Sequence, residues 1–130
     1  MTARELFVAW AQAQRGKPVV MGAKGDYLYS AGRLTRLPPE TAFDCSGLVT
    51  SALRAVGVAD LRDTHNAQRL YSETPSTAQP EPGDLGFYGR DLEHVDHVVI
   101  YLPGGHLLSA DGATHTITTL GAAMADLHCR

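Results

Sequence analysis

The chain has only two cysteines in 130 residues, too few for a disulfide framework. Nothing in their spacing favours a bridge between Cys45 and Cys129. No run approaches the roughly 20 apolar residues that a membrane span needs. Lysine and arginine form no block or basic helix face, and the formal net charge is −3, which argues against a nucleic-acid binder. There is no Cys-x-x-Cys and no histidine pair at helical i, i+4 spacing. His94 and His97 should diverge at a strand edge, so neither a metal site nor a cofactor is expected. Repeats and low-complexity tracts are absent. The first residues, "MTARELFVAWAQAQRGKP", lack the charged-then-apolar layout of a signal peptide. Action where the chain is made, export by another route and a place within a longer chain all stay open, so localisation is not assigned.

What is present reads as one globular domain over residues 1–130. Hydrophobic residues make up 44% and charged residues 19%, ordinary values for a chain with a real core. "TARE" is a capping box in which Thr2 caps and Glu5 reaches back, and Leu6, Phe7, Trp10 and Ala13 follow as an apolar stripe. A glycine- and proline-rich approach over 17–43 shows little periodicity. Asp44 can then cap a second helix, with Leu48, Val49, Ala52, Leu53 and Val56 on one face and Gly57 as its stop. After "PSTAQPEPGD" the period changes to alternation. The segments 85–88, 97–102, 106–110 and 114–119 read as strands, with turns at "PGG" and "DGA". Helices followed by an antiparallel meander indicate an α+β fold.

Cys45 would follow the cap of that second helix. Its sulfur then lies near unpaired backbone N–H groups and the positive end of the helix dipole, a setting that favours thiolate. Small Ser46 and Gly47 beside it would leave room for a substrate backbone. A buried structural cysteine fits the same position, and the residues alone do not choose. A reactive thiol needs a proton carrier. His97 opens the most apolar strand, "HVVIYL", and would be held rigidly. His94 lies in a charged loop, and His65 in a segment expected at the surface. In a hairpin turning at Pro103–Gly104, His97 should stand across from about Ser109. Leu107, Ser109 and Asp111 then share its face, with His106 on the other.

"FDCSGLV", "PGDLGFY", "HVVIYL" and "GGHLLSADG", in this order, resemble the NlpC-type cell-wall cysteine peptidases. These are papain-like domains that cut peptide bonds in bacterial peptidoglycan stems. The likeness runs from about residue 3 to 119. It implies a nucleophile helix packed on an antiparallel sheet, Cys45 as nucleophile and His97 as general base. It also implies a stem-peptide substrate and action on the cell wall, with no cofactor. Asp84 in "PGD" would hold a turn and take no part in chemistry.

Two positions depart from the family pattern. Ser109 stands where a third histidine commonly orients the imidazole, and Asp111, or His106 on a bulge, are the alternatives for that role. Val19 stands where the family carries a tyrosine whose hydroxyl lies near the nucleophile. The extra stretch "DYLYSAGRLTRLPPETA" holds Tyr27 and Tyr29, either of which can supply that group if it folds back. These departures keep two other readings alive: an impaired member that binds cell-wall peptide, and a thiol-dependent amidase or acyltransferase on another substrate.

Overall fold

A computed structural model describes residues 1–112, 114–121 and 128–129. The first helix, α1 (Ala3–Gln12), opens on the expected capping box. Thr2 Oγ1 accepts the Glu5 N–H at 3.1 Å, and Glu5 Oε1 accepts the Thr2 N–H at 3.1 Å. Its buried face is Phe7, Val8 and Ala11. That face is rotated from the expected stripe, because Leu6 is exposed and Val8 takes its place in the core.

An irregular segment leads to β1 (Lys24–Gly25). A hairpin of β2 (Tyr27–Ser30) and β3 (Arg33–Arg36) then projects outward, and β4 (Ala42–Phe43) returns to pair with β1. The nucleophile-bearing candidate, α2 (Cys45–Ala55), follows directly. Leu48, Val49 and Ala52 are buried on the expected face. Ser46, Gly47, Thr50 and Ser51 are buried as well, so the helix is enclosed over its first two turns. A short third helix, α3 (Ala67–Glu73), has no counterpart in the sequence reading. Seven residues give too little periodicity to detect, and its position comes from packing. Ala67, Leu70 and Tyr71 are buried, and the Tyr71 ring meets Phe87 edge-on at 5.3 Å.

The strands β5 (Leu85–Gly89), β6 (Val95–Tyr101), β7 (His106–Asp111), β8 (Thr116–Gly121) and β9 (His128–Cys129) form one antiparallel sheet in the order β8-β7-β6-β5-β9. Helices on one face of an antiparallel sheet make the α+β architecture expected from the sequence. The main core lies between them, with Phe43, Leu48, Phe87, Ile100 and Leu108 all at 2% exposure or less. A smaller cluster of Val99, Tyr101 and Leu107 covers the other face, the one that also carries His97 by alternation. Among the described residues, no helix is long and apolar enough to cross a membrane.

Candidate active site

Asp44 builds the tip of α2. One carboxylate oxygen accepts the Gly47 N–H at 2.6 Å and so caps the helix. The other accepts the Gly22 N–H at 3.2 Å, which ties the upstream segment to the same point. Lys24 Nζ lies 2.9 Å from both oxygens and 3.0 Å from Ser46 Oγ. A Cβ at Gly47 would fall 2.3 Å from the Ala23 carbonyl oxygen and 2.6 Å from Asp44 Oδ1. The small residues after Cys45 therefore serve close packing of the chain on itself; Ser46 and Gly47 are buried and leave no gap for substrate.

Cys45 is a free thiol, half-buried. Its sulfur lies 3.8 Å from the Asp96 carbonyl oxygen, and the Val98 and Ser46 N–H groups also point at it. Asp96 and Val98 flank His97 on β6. The thiol is thus set against the β6 backbone on either side of the histidine. Two irregularities in β6 create this fit. On the β5 side, Tyr88 pairs with His97 and Gly89 with Val95, so Asp96 is a bulge residue with no partner. On the β7 side, pairing is confined to Ile100–Leu108 and Tyr101–Leu107. The ladder has opened by Val98, whose N–H faces the sulfur.

The ring of His97 is held from two directions. Its Nε2 lies 2.9 Å from Ser109 Oγ, and Ser109 is 1% exposed. Tyr88 packs beside it, ring centroids 5.7 Å apart. The β6–β7 register differs from the expected one by two residues. Continued from its two pairs, it sets Val99 across from Ser109, so the serine reaches His97 diagonally. Burial lowers the imidazole pKa from its ordinary value, with Asp96 and Asp111 opposing the shift. Burial likewise raises the Cys45 thiol, and Asp44 adds to this, while the Val98 and Ser46 N–H groups and Lys24 pull the other way. Both shifts favour the uncharged forms, a thiol and a neutral imidazole.

The other candidates lie elsewhere. The Tyr27 hydroxyl donates to Asp63, with the Arg62 guanidinium 5.2 Å over its ring. It therefore does not replace the hydroxyl missing at Val19. Tyr29 is 55% exposed on the hairpin. Val19 bridges Phe43 and packs against the core. His106 is exposed at the start of β7 and lies on no bulge. Asp84 Oδ2 accepts the Glu81 N–H at 2.8 Å and Oδ1 pairs with Arg4 at 2.7 Å, a turn-holding arrangement. His65, expected at the surface, is 7% exposed. Thr64 and Glu73 contact its two nitrogens at 2.7 and 2.9 Å, which satisfies a buried imidazole. The sequence offered no signal for this, since its partner Glu73 comes from the unexpected α3. A cavity of about 870 Å³ is walled by α1, α2 and the 73–85 segment, and none of Cys45, His97 or Ser109 lines it. No group of three or more His, Cys, Asp or Glu among the described residues is arranged to hold a metal.

The profile of the NlpC/P60 family matches residues 12–126. The chain belongs to that family. Among curated members it is 42% identical over 79 residues to the peptidoglycan endopeptidase RipB of Mycobacterium tuberculosis, and 36% identical over 78 residues to the bifunctional muramidase/DL-endopeptidase CwlT of Bacillus subtilis. These matches cover 58% and 56% of this chain, but only 30% of RipB and 22% of CwlT. NlpC/P60 structures superpose over nearly the whole chain. The RipB structure aligns with a TM-score of 0.73 at 26% identity, covering 96% of this chain and 61% of that one. RipD of M. tuberculosis, described as a non-catalytic NlpC/p60 domain protein, aligns with a TM-score of 0.74 at 23% identity, covering 99% and 95%. At that identity RipD speaks to the fold alone.

Proposed function

We propose that the chain is a cysteine endopeptidase that hydrolyses peptide bonds in peptidoglycan stem peptides. The observation that carries this reading is the seating of the Cys45 thiol at a helix tip, against the strand on both sides of His97. In this reading the Nε2 of His97, 2.9 Å from Ser109 Oγ, carries the proton, and Nδ1 is the basic nitrogen. Nδ1 takes the thiol proton as sulfur attacks the substrate carbonyl. Collapse gives a thioester and an amine that leaves with the proton from the imidazolium. Water, deprotonated by the same nitrogen, then releases the acid and restores the thiol. The backbone N–H of Cys45, at the start of α2, stabilises the oxyanion.

Cys45→Ala tests the reading. Cleavage of purified sacculi or of a stem peptide is expected to disappear, and undiminished turnover in the variant would refute it.

The neutral pair and the uncharged orienting group at Ser109 favour one second reading, a domain that binds stem peptide without cutting it. Stem peptide bound by the wild-type protein but left intact would establish that reading.

A further inference from the structure

The bulge at Asp96 raises a question that the sheet itself does not answer. The ladder holds Val95 and His97, but Asp96 between them, whose carbonyl touches the Cys45 sulfur, has no partner on β5. A group outside the sheet grips the chain beside this bulge.

That group is the side chain of Gln68 on α3. Its Oε1 accepts the Val95 N–H at 2.6 Å, and its Nε2 donates to the Leu92 carbonyl at 3.2 Å. One amide therefore grips both the turn between β5 and β6 and the first residue of β6. We infer that Gln68 is a positioning residue for the Cys45–His97 pair, clamping the β5–β6 turn so that the bulge presents the Asp96 carbonyl and the His97 ring to the thiol. The inference rests on the reading of Cys45 and His97 given above.

Three features fit a clamp. The helix that carries Gln68 is anchored under the sheet by Ala67, Leu70 and Tyr71, so the amide is mounted on a fixed base. Across the turn, a Cβ at Gly89 would lie 2.1 Å from the His94 carbonyl oxygen and 2.7 Å from Val95 Cα. Only glycine permits the close approach that brings Val95 and Leu92 within reach of one side chain. Gln68 also needs both ends of its amide here, acceptor for one backbone group and donor for the other, which no ionised or apolar side chain offers.

The test compares Gln68→Leu and Gln68→Glu in the full chain. It reads Cys45 reactivity toward 2,2′-dipyridyl disulfide across pH, with the modified residue assigned by peptide mass and folding followed by circular dichroism. Leucine fills the space and removes both bonds. Folded Gln68→Leu is expected to react about tenfold to a hundredfold more slowly at neutral pH, the scale of loss for a reacting group displaced by about 1 Å. Glutamate makes both bonds only when protonated. Its reactivity relative to wild type is expected to approach one below an ordinary carboxyl pKa of about 4.3, and to fall toward that of leucine above it. A merely structural role would not produce this pH-dependent rescue. Wild-type reactivity in folded Gln68→Leu, a Gln68→Glu profile parallel to wild type, or unfolding of both variants would each overturn the inference. The thiol probe needs no substrate. Gln68 variants that behave as expected, beside a wild-type protein that cuts no stem peptide, would sink the peptidase reading and leave Gln68 in place.

Discussion

The hydroxyl of Ser109 lies 2.9 Å from Nε2 of His97 and is almost fully enclosed by the sheet. A hydroxyl can accept from or donate to a ring nitrogen, so it selects the tautomer less strictly than a carboxylate would, and it stabilises an imidazolium less. That difference can be measured. Ser109→Ala should cost about 1 kcal/mol of stability and slow turnover about tenfold or more, because it leaves Nε2 unpaired in a half-buried site. Ser109→Asp should raise the His97 pKa and lower the apparent pKa of Cys45 alkylation, as a carboxylate beside an imidazole favours its charged form. An alkylation profile unmoved by aspartate would mean that the ring does not communicate with the thiol.

Stability should peak between the titration ranges of the two groups. Folding lowers the His97 pKa, so the unfolded chain binds the proton more readily, and stability is lost as pH falls below the ordinary histidine value near 6.5. Folding raises the Cys45 pKa, so its contribution is complete below the ordinary thiol value near 9.0 and is lost as pH rises through the folded value. Denaturant midpoints measured across pH should therefore decline on both sides. Cys45→Ala should flatten only the alkaline side, and an unchanged alkaline decline in that variant would contradict the assignment.

Lys24 and Asp44 are each 14% exposed and lie 2.9 Å apart. Lys24→Met would strand a largely buried carboxylate next to the nucleophile, at a cost of about 3 kcal/mol in thermal or denaturant unfolding. Its second effect is on the thiol. Lys24 favours the thiolate and Asp44 disfavours it, so the variant should alkylate more slowly at a given pH. Loss of stability with unchanged alkylation would confine Lys24 to a structural role.

Tyr27→Phe separates the hairpin from the chemistry. Burial and the Asp63 carboxylate push the Tyr27 hydroxyl well above its ordinary pKa and keep it a donor to Asp63. Removing it should cost about 0.5–1.5 kcal/mol in denaturant unfolding. Cys45 alkylation and stem-peptide cleavage should stay at wild-type rates. A substantial fall in either would return Tyr27 to the site.

Much of the fold was legible because its signals are local. Thr2 with Glu5, Asp44 before Cys45, and the alternation through His97–Leu102 each declare an element within a few residues. The neighbourhood of Cys45 and His97 was legible from a motif order that implied it. Other features depend on contacts between distant segments. The buried state of His65 needs Glu73 eight residues on, and the register that carries Ser109 diagonally to His97 depends on where β6 and β7 part. The bulge at Asp96 left only Gly89 as a trace, and a glycine in a strand has several explanations. Gln68 gave no signal, since an isolated glutamine on a short helix resembles any solvated side chain.

The pairing of Lys24 with Phe43 and Gly25 with Ala42 closes a neck at the base of residues 26–41. The Thr41 N–H bonds the Gly25 carbonyl at 2.9 Å just beyond it. The excursion departs and re-enters at adjacent points, immediately before the residues that cap α2. This arm can thus be lengthened, trimmed or replaced as a cassette while the tip of the helix stays where it is.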